Sequence, residues 1–563
     1  MNKVTDTYNI RGILSNYGFC IKKTLCSITA SEAIKTYFNV KPKTSFDEIN
    51  DSQIDNTFDV YVEDDVYLVI PKFFANSTLK LDFIDGKIKY KQIFFQITKI
   101  SYKKQPSNFK FNGKLRDYQM NIINSILNTF GLENNNGLII EKDTLLRPKG
   151  GIIQLSVGAG KTILAIYLAH LLKLKTLIIV HQEFLQDQWI ERFNMFTDAK
   201  VGTIRGTIID IENKDIVVGM VQSISMKDYE DNVFKEFGLV IYDEAHHYAS
   251  RVFSRTLMKT SALYTIGLTA TPERSDGLIK VIKWFTGDIL YQMDRKYDYR
   301  VLVKKIYFRS NDVLFKEQKN WILGKIRPNH TKMIENLMNN DSRNNLMINM
   351  INNLKSIGRT IFVISLRVEH LQTLKNGVDA LIKEAGEQHI YNTYYYIGPT
   401  KKGEKKMAEK DGNIIFATIQ LASEALDIPR LDTIILTVPI KAESGTKEKT
   451  LVQSIGRILR NDKLQSLTQI PLVVDISDVL SIYKGWSEKR EIVYGTKNWF
   501  VQHYHWQDDA YLYRKKDDKN KKPMNVIFDD ILDEDFIENN LILPKEIKVE
   551  EIKVELNKKS KKK

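Results

Sequence analysis

The spacing of apolar and polar positions changes several times along this chain, and each change predicts a different kind of element. Between residue 1 and about 105 the apolar positions come in short, strand-like runs. Val60-Tyr61-Val62 and Val66-Tyr67-Leu68-Val69-Ile70 flank Glu63-Asp64-Asp65; residues 81–84 and 87–90 flank Asp85-Gly86, a pair suited to the positive φ values of a type I′ turn. Both read as β-hairpins of a small accessory domain, a packing or docking module with no visible chemistry. Further on, largely apolar runs alternate with helical segments at 151–155, Thr176–Val180, 215–220 and Leu239–Tyr242. After a polar, mixed stretch around 309–345, a second series follows at 360–365, Ile414–Thr418, 433–438 and 471–475. Strands apolar on both faces belong to parallel sheets covered by helices, so the pattern predicts two successive α/β halves. Beyond about residue 500 aromatic and charged residues mix, then an acidic block at 529–538 and lysines at 557–563 predict partial disorder.

Composition narrows the partners. The 563 residues hold 83 Lys plus Arg against 69 Asp plus Glu, a net +14 that favours a polyanion. No run approaches the ~18 apolar residues that span a bilayer, which argues against a membrane partner. Cys20 and Cys26 have no histidine pair at ligand spacing, so neither a disulfide framework nor a zinc site is built locally. With no apolar signal segment after Met1, the expected location is an intracellular, reducing compartment.

Two local strings carry chemistry. Ser156-Val157-Gly158-Ala159-Gly160-Lys161-Thr162 lies between the strand 151–155 and the helical run 163–172. Glycines there let backbone N–H groups turn around a phosphate, the helix N-terminus adds positive potential, Lys161 neutralises β/γ oxygens and the Thr162 hydroxyl holds Mg²⁺. Leu155 stands where the strict phosphate-loop pattern has its first Gly. The second string, Asp243-Glu244-Ala245-His246, follows an apolar strand, and ligands in such sheets sit at the carboxyl ends of strands. Asp243 would hold Mg²⁺ and Glu244 would orient and deprotonate the attacking water.

From about Leu115 to Tyr494 the chain resembles the superfamily 2 helicases. Leu115-Arg116-Asp117-Tyr118-Gln119 resembles their adenine-sensing motif, with Gln119 as the reading amide. Residues 156–162 are similar to motif I, which in this superfamily often lacks the first Gly. Residues 177–189, ending Gln186-Asp187-Gln188-Trp189, resemble motif Ia, and Asp243-Glu244-Ala245-His246 a DEAH-type motif II. Gly267-Leu268-Thr269-Ala270-Thr271-Pro272 resembles motif III, and residues 360–371 motif IV. Residues 417–429 resemble motif V, with Ala425 where the family more often has Gly, and Gln453-Ser454-Ile455-Gly456-Arg457-Ile458-Leu459-Arg460 motif VI.

The resemblance implies an α/β fold of two tandem RecA-like domains with parallel sheets, plus a small N-terminal α+β domain and a charged C-terminal extension. The expected boundaries are 1–105, 106–305 (ATP-binding), 306–500 and 501–563. It also implies ATP and Mg²⁺ as cofactors, hydrolysis of ATP to ADP and phosphate, and stimulation by nucleic acid. Catalytic roles fall to Glu244, Asp243, Lys161, Arg457, Arg460 and Gln453, the two arginines stabilising charge on the transferring γ-phosphoryl. Nucleotide binding falls to Gln119, Ser156, Val157, Gly158, Ala159, Gly160, Lys161, Thr162 and Asp427, with Thr162 and Asp243 as metal ligands. His246, Thr269 and Thr271 would couple that site to nucleic-acid grips at Val180, His181, Gln182, Arg367 and Thr418.

The Gln-Trp ending of motif Ia, the string 269–277 and the string 424–429 resemble the branch holding the xeroderma pigmentosum group B translocase and the poxvirus transcript-release helicase. That branch implies DNA, single strand or duplex, as partner, 3′ to 5′ movement, a viral origin and a link to the transcription machinery. RNA is the alternative partner, and a noncatalytic scaffold with a helicase fold the alternative of another class. A monomer is the expected state, in the cytoplasm, a viral factory or the virion, with the nucleus as the other address the terminal lysines suit. The aromatic and basic stretch 494–516 is expected to pack on its own domain rather than stack bases.

Overall fold

The computed structural model describes residues 6–42, 57–75, 77–84, 88–135, 137–142, 145–155, 159–230, 232–270, 277–293, 301–322, 325–424, 428, 430–442, 455, 470–507, 511–513 and 522–523. These fall into two compact units that divide between Met293 and Val301. The acidic block and the lysine end lie outside the described residues.

The first unit opens with a six-stranded mixed sheet. Its long central strands, Asp6–Ser15 and Ile88–Ser101, run parallel, and both expected hairpins form at its edges. Residues 85–87 lie outside the described residues, so the turn type is not part of that agreement. The helix Ile28–Phe38 starts on the Ser27 hydroxyl, which accepts the Ala30 N–H at 3.2 Å, and turns Ala30, Ala33, Ile34 and Phe38 inward. Phe38 and Phe74 then meet Trp284 edge-on at 5.1 and 5.5 Å, on a helix of the following α/β sheet. Lys72 completes the joint: fully buried, it donates to the Ala262 carbonyl at 2.7 Å, and burial holds its pKa well below that of an ordinary lysine. The N-terminal sheet therefore shares one core with its neighbour.

That neighbour is an eight-stranded sheet in the order Ile208–Ile209, Val201–Arg205, Ile216–Met220, Thr176–Val180, Leu239–Tyr242, Tyr264–Thr269, Lys149–Leu155, Ile289–Met293. All its pairings are parallel except the short outer hairpin. The inner strands are buried along their whole length, which is why they read as unbroken apolar runs.

The second unit repeats the design. Its sheet runs Thr393–Tyr396, Ile414–Thr418, Ile361–Ser365, Thr433–Leu436, Leu472–Asp478, Leu302–Phe308, Phe500–Gln507, all parallel, and then Tyr511–Tyr513 and Lys522–Pro523 antiparallel at the edge. Leu302–Phe308 spans residue 305 and pairs within this sheet, while Phe500–Gln507 carries the sheet past residue 500. Trp499, Tyr504 and Trp506 are buried, with Trp499 stacked on Tyr494 at 5.7 Å, so this part of the aromatic stretch packs. Two buried ion pairs close the sheet at the carboxyl end of Leu472–Asp478. Arg343 holds Asp478 at 2.7 and 2.9 Å, and Arg490 holds Asp475 at 2.9 and 2.7 Å. Tyr494 donates to Asp475 as well, at 2.9 Å. Burial alone would raise the Asp475 carboxyl; Arg490, with Lys305 and Tyr494 behind it, outweighs that and holds it below the usual carboxylate range.

Breaking a buried pair leaves an uncompensated charge, so Arg490→Met should destabilise the second unit by about 3–5 kcal/mol, read as a lower urea midpoint. Because the Asp475 pKa is depressed on folding, its contribution is full above the unfolded value and fades as pH falls through the folded one. Asp475→Asn should lack that acid-dependent loss in urea titrations across pH, and an unchanged acid slope would count against the pair.

Candidate nucleotide site

Three neighbouring parallel strands deliver the candidate residues to one edge of the first unit's sheet. Leu239–Tyr242 ends at Asp243, Tyr264–Thr269 ends on Thr269, and Lys149–Leu155 leads towards Lys161. This is the carboxyl edge, where open parallel sheets bind ligands. Ser156, Val157 and Gly158 lie outside the described residues, but the end of the loop is defined. Gly160 has φ +77°, and a Cβ there would fall 2.4 Å from Gln119 Nε2, so only glycine fits. The helix Lys161–Leu172 begins at the next residue, with Lys161 and Thr162 partly exposed at its N-terminus. Lys161 Nζ donates to the Leu155 carbonyl at 3.2 Å, which folds the ammonium back over the loop.

Gln119 is buried on the first turn of the helix Asp117–Thr129. Its Oε1 accepts the Arg116 N–H at 3.0 Å and its Nε2 donates to the Ala159 carbonyl at 3.3 Å, while Tyr118 donates to the same carbonyl at 3.0 Å. The residue expected to read adenine thus also ties its helix to the end of the phosphate loop.

Asp243 is buried and doubly held: Trp189 Nε1 donates to Oδ2 at 2.8 Å and the Glu244 N–H to Oδ1 at 3.0 Å. Burial, then the neighbouring Glu244, raises its pKa; the Trp189 bond and Lys161 act the other way. Glu244 is pulled in the opposite direction. Burial would raise it, but Lys161 and then His246, His247 and His181 keep it below the ordinary glutamate value. Glu244 also stands at φ +47°, left-handed backbone that costs a non-glycine residue about 1–3 kcal/mol. Its Oε2 is buried without a hydrogen-bond partner, 3.5 Å from His246 Nδ1. An ionised carboxylate with an unfilled acceptor, held on a strained turn beside a lysine, fits a water-activating base.

His246 Nδ1 meets Thr269 Oγ1 at 3.1 Å, so two of the three expected coupling residues touch; Thr271 lies outside the described residues. Val180 is wholly buried in its strand, and the His181 ring lies tilted against His247 at 4.1 Å, its pKa pushed down to about 3, chiefly by burial. A nucleic-acid contact at either is left to the backbone, while Gln182, just before the helix Glu183–Phe196, is partly exposed. In the second unit Thr418 pairs in register with Ser365, and exposed Arg367 follows two residues on with its N–H 3.5 Å from the Ser365 hydroxyl. These two expected grips therefore share one sheet edge. Asp427, Gln453, Arg457 and Arg460 lie outside the described residues. The sequence reading missed the role of Trp189: it marked the Gln-Trp string, yet nothing in spacing shows that the indole reaches Asp243.

The residues fit ATP with Mg²⁺. Thr162 at the start of the helix Lys161–Leu172 and the Asp243 carboxylate after the strand Leu239–Tyr242 supply the hydroxyl and the single carboxylate that suit an ion shared with a nucleotide's phosphates. Fold and site together define a phosphate-loop nucleotide-binding protein with paired acids. The family described as "Type III restriction enzyme, res subunit" matches residues 112–274. A protein of Acanthamoeba polyphaga mimivirus named "Putative ATP-dependent RNA helicase" is 31% identical over 520 residues, covering 90% of this chain and 91% of its own. The "DNA 3'-5' translocase XPB2" of Sulfurisphaera tokodaii is 34% identical over 167 residues, 29% of this chain and 37% of its own. The solved fragment of a type I restriction enzyme HsdR subunit from Vibrio vulnificus has a similar fold, with TM-score 0.50 at 16% identity over 72% of this chain and 71% of that one. The chain belongs to the superfamily 2 helicases and resembles their viral and group B translocase members.

Trp189→Phe keeps the packing but removes the donor to Asp243. Losing such a supporting contact to the expected metal ligand should lower Mg²⁺-dependent ATP turnover by roughly 10–100-fold, measured on protein whose folding is checked by its thermal unfolding midpoint. Steady-state phosphate release against Mg²⁺ concentration reads the loss.

Proposed function

We propose that the chain is a nucleic-acid-stimulated ATPase that moves on or unwinds DNA in the 3′ to 5′ direction, in a virus and in the service of transcription. The observation that carries the ATPase reading is the convergence of Lys161, Asp243, Glu244 and the His246–Thr269 contact on one strand edge. Lys161 and the helix N-terminus bind the triphosphate. Thr162 and Asp243 would hold Mg²⁺, which when bound neutralises β- and γ-phosphate oxygens. Glu244, kept ionised by the cations around it, accepts a proton from the water that attacks the γ-phosphorus; the bond to the β–γ bridging oxygen breaks and ADP leaves. Arg457 and Arg460, outside the described residues, are the groups to which the helicase resemblance assigns further positive charge on the transferring group. The Thr269 hydroxyl, bonded to His246, relays the state of the acids into the strand end that carries it.

DNA as the partner rests on the motif strings shared with group B translocases and on the basic charge. RNA is the second reading, favoured by the name of the mimivirus relative, which spans most of the chain. In either reading the chain works as a monomer inside the infected cell.

Phosphate release measured with single-stranded DNA, duplex DNA and RNA separates them: DNA should stimulate at least as well as RNA, and a response to RNA alone reverses the assignment. Lys161→Ala should lose turnover while retaining its circular dichroism spectrum. Glu244→Gln should bind ATP yet turn over about 10²–10⁴-fold more slowly, the usual contribution of a general base. Retained turnover in either variant overturns the site.

A further inference from the structure

The second unit carries a two-stranded hairpin, Lys319–Ile322 and Lys325–Pro328, that pairs with no other strand among those described. Trp321 and Ile326 face each other across it and are 73% and 63% exposed, so a large aromatic face stands in solvent with one apolar neighbour. Isolated hairpins are marginal in water, and this one is mounted at its foot. The Asn329 N–H closes on the Gln318 carbonyl at 2.7 Å. Glu317 accepts the Ser481 hydroxyl and pairs with Lys319. Phe315, just before the hairpin, packs on Phe308 at 5.4 Å, and His330, just after it, bonds Tyr483 at 2.9 Å.

The mount fixes the hairpin's position in the fold. Phe308 ends its strand and Ser481 follows the end of Leu472–Asp478, so the foot sits at the carboxyl edge of the sheet, the edge that carries Thr418. Four strand spacings separate Leu302–Phe308 from Ile414–Thr418, about 19 Å at 4.8 Å per strand. Charge decides what could cover the aromatic face. From 316 to 335 the sequence has cations at Lys316, Lys319, Lys325, Arg327 and Lys332 against the anions Glu317 and Glu335, which pair with Lys319 and Lys332, so the stretch keeps a positive surplus. An apolar protein groove would bury Trp321 and gain nothing from these cations; a nucleic-acid strand offers a base to the indole and phosphates to the lysines and Arg327.

We propose that the paired strands Lys319–Ile322 and Lys325–Pro328 are a single-strand contact of this helicase, with Trp321 stacking on an unpaired base and the flanking cations holding its phosphates. The inference deepens the nucleic-acid reading above and rests on it. Stacking needs an exposed base face, which a closed duplex hides, so the hairpin distinguishes single from paired strands.

The test uses the full chain with fluorescein-labelled single-stranded and blunt duplex DNA, followed by anisotropy, together with unwinding of a tailed duplex. Trp321→Ala should weaken single-strand binding by about 5- to 100-fold, the usual loss for one stacked base, and slow unwinding in proportion. Blunt-duplex affinity should change less than about twofold, and Trp321→Phe should restore much of the single-strand binding by keeping a ring. An exposed side chain leaves the unfolding midpoint in place, so a lost fold is not mistaken for a lost contact. Single-strand affinity unchanged in Trp321→Ala overturns the proposal, including where that variant instead loses self-association or a protein partner. Single-strand loss seen with RNA but not DNA keeps the stacking role and sinks the DNA assignment. Wild-type ATPase unmoved by any nucleic acid, with no strand bound, sinks the functional reading and the hairpin role together.

Discussion

Two carboxylates next to each other in sequence, one of them buried, are the constraint around which the first unit is arranged. Like charges so close in a low-dielectric edge repel, and burial penalises both, so the pair is stable only with opposite charge and donors at hand. Lys161 supplies the charge; the Trp189 indole and the Glu244 N–H supply donors to Asp243. The consequence is a division of state: Asp243 is raised and Glu244 lowered. A pair pushed apart in this way suits the proposed division into a metal-side acid and a base from the same dipeptide, with Glu244 held in left-handed backbone.

The second unit solves another problem with similar means. Its central strand Leu472–Asp478 brings Asp475 and Asp478 inside the fold, each with an arginine, and Arg490 also reaches the Ile440 carbonyl at 2.8 Å. The string that carries Asp475, Arg490 and Tyr494 therefore serves packing of strand against helix. The aromatic residues that follow are consumed in the same way, whereas the exposed indole lies elsewhere, on a hairpin whose short, mixed strands gave no warning.

The N-terminal sheet was legible as hairpins but not as part of a larger core. Alternation within residues 60–70 and 81–90 identifies strands; it does not reveal that Phe38 and Phe74 meet Trp284, because those contacts join residues more than 200 positions apart. Lys72 is the clearest case. A lysine in a short polar-apolar string reads as surface, yet it is buried because the Ala262 carbonyl, on the far side of the joint, accepts its proton.

What the linear order of residues settled by itself is the chemistry's inventory: parallel sheets from unbroken apolar runs, a glycine-rich turn before a helix, paired acids after a strand, and the motif order that marks a helicase. Local geometry enforces each of these, so short strings suffice. Which groups support the acids, whether Val180 and His181 present side chains outward, and where an aromatic ring stays uncovered depend on strand order and on helices packed from distant parts of the chain. Those pairings are long-range, and only the folded arrangement decides them: no spacing along the sequence places the Trp189 indole on Asp243 or leaves Trp321 in solvent.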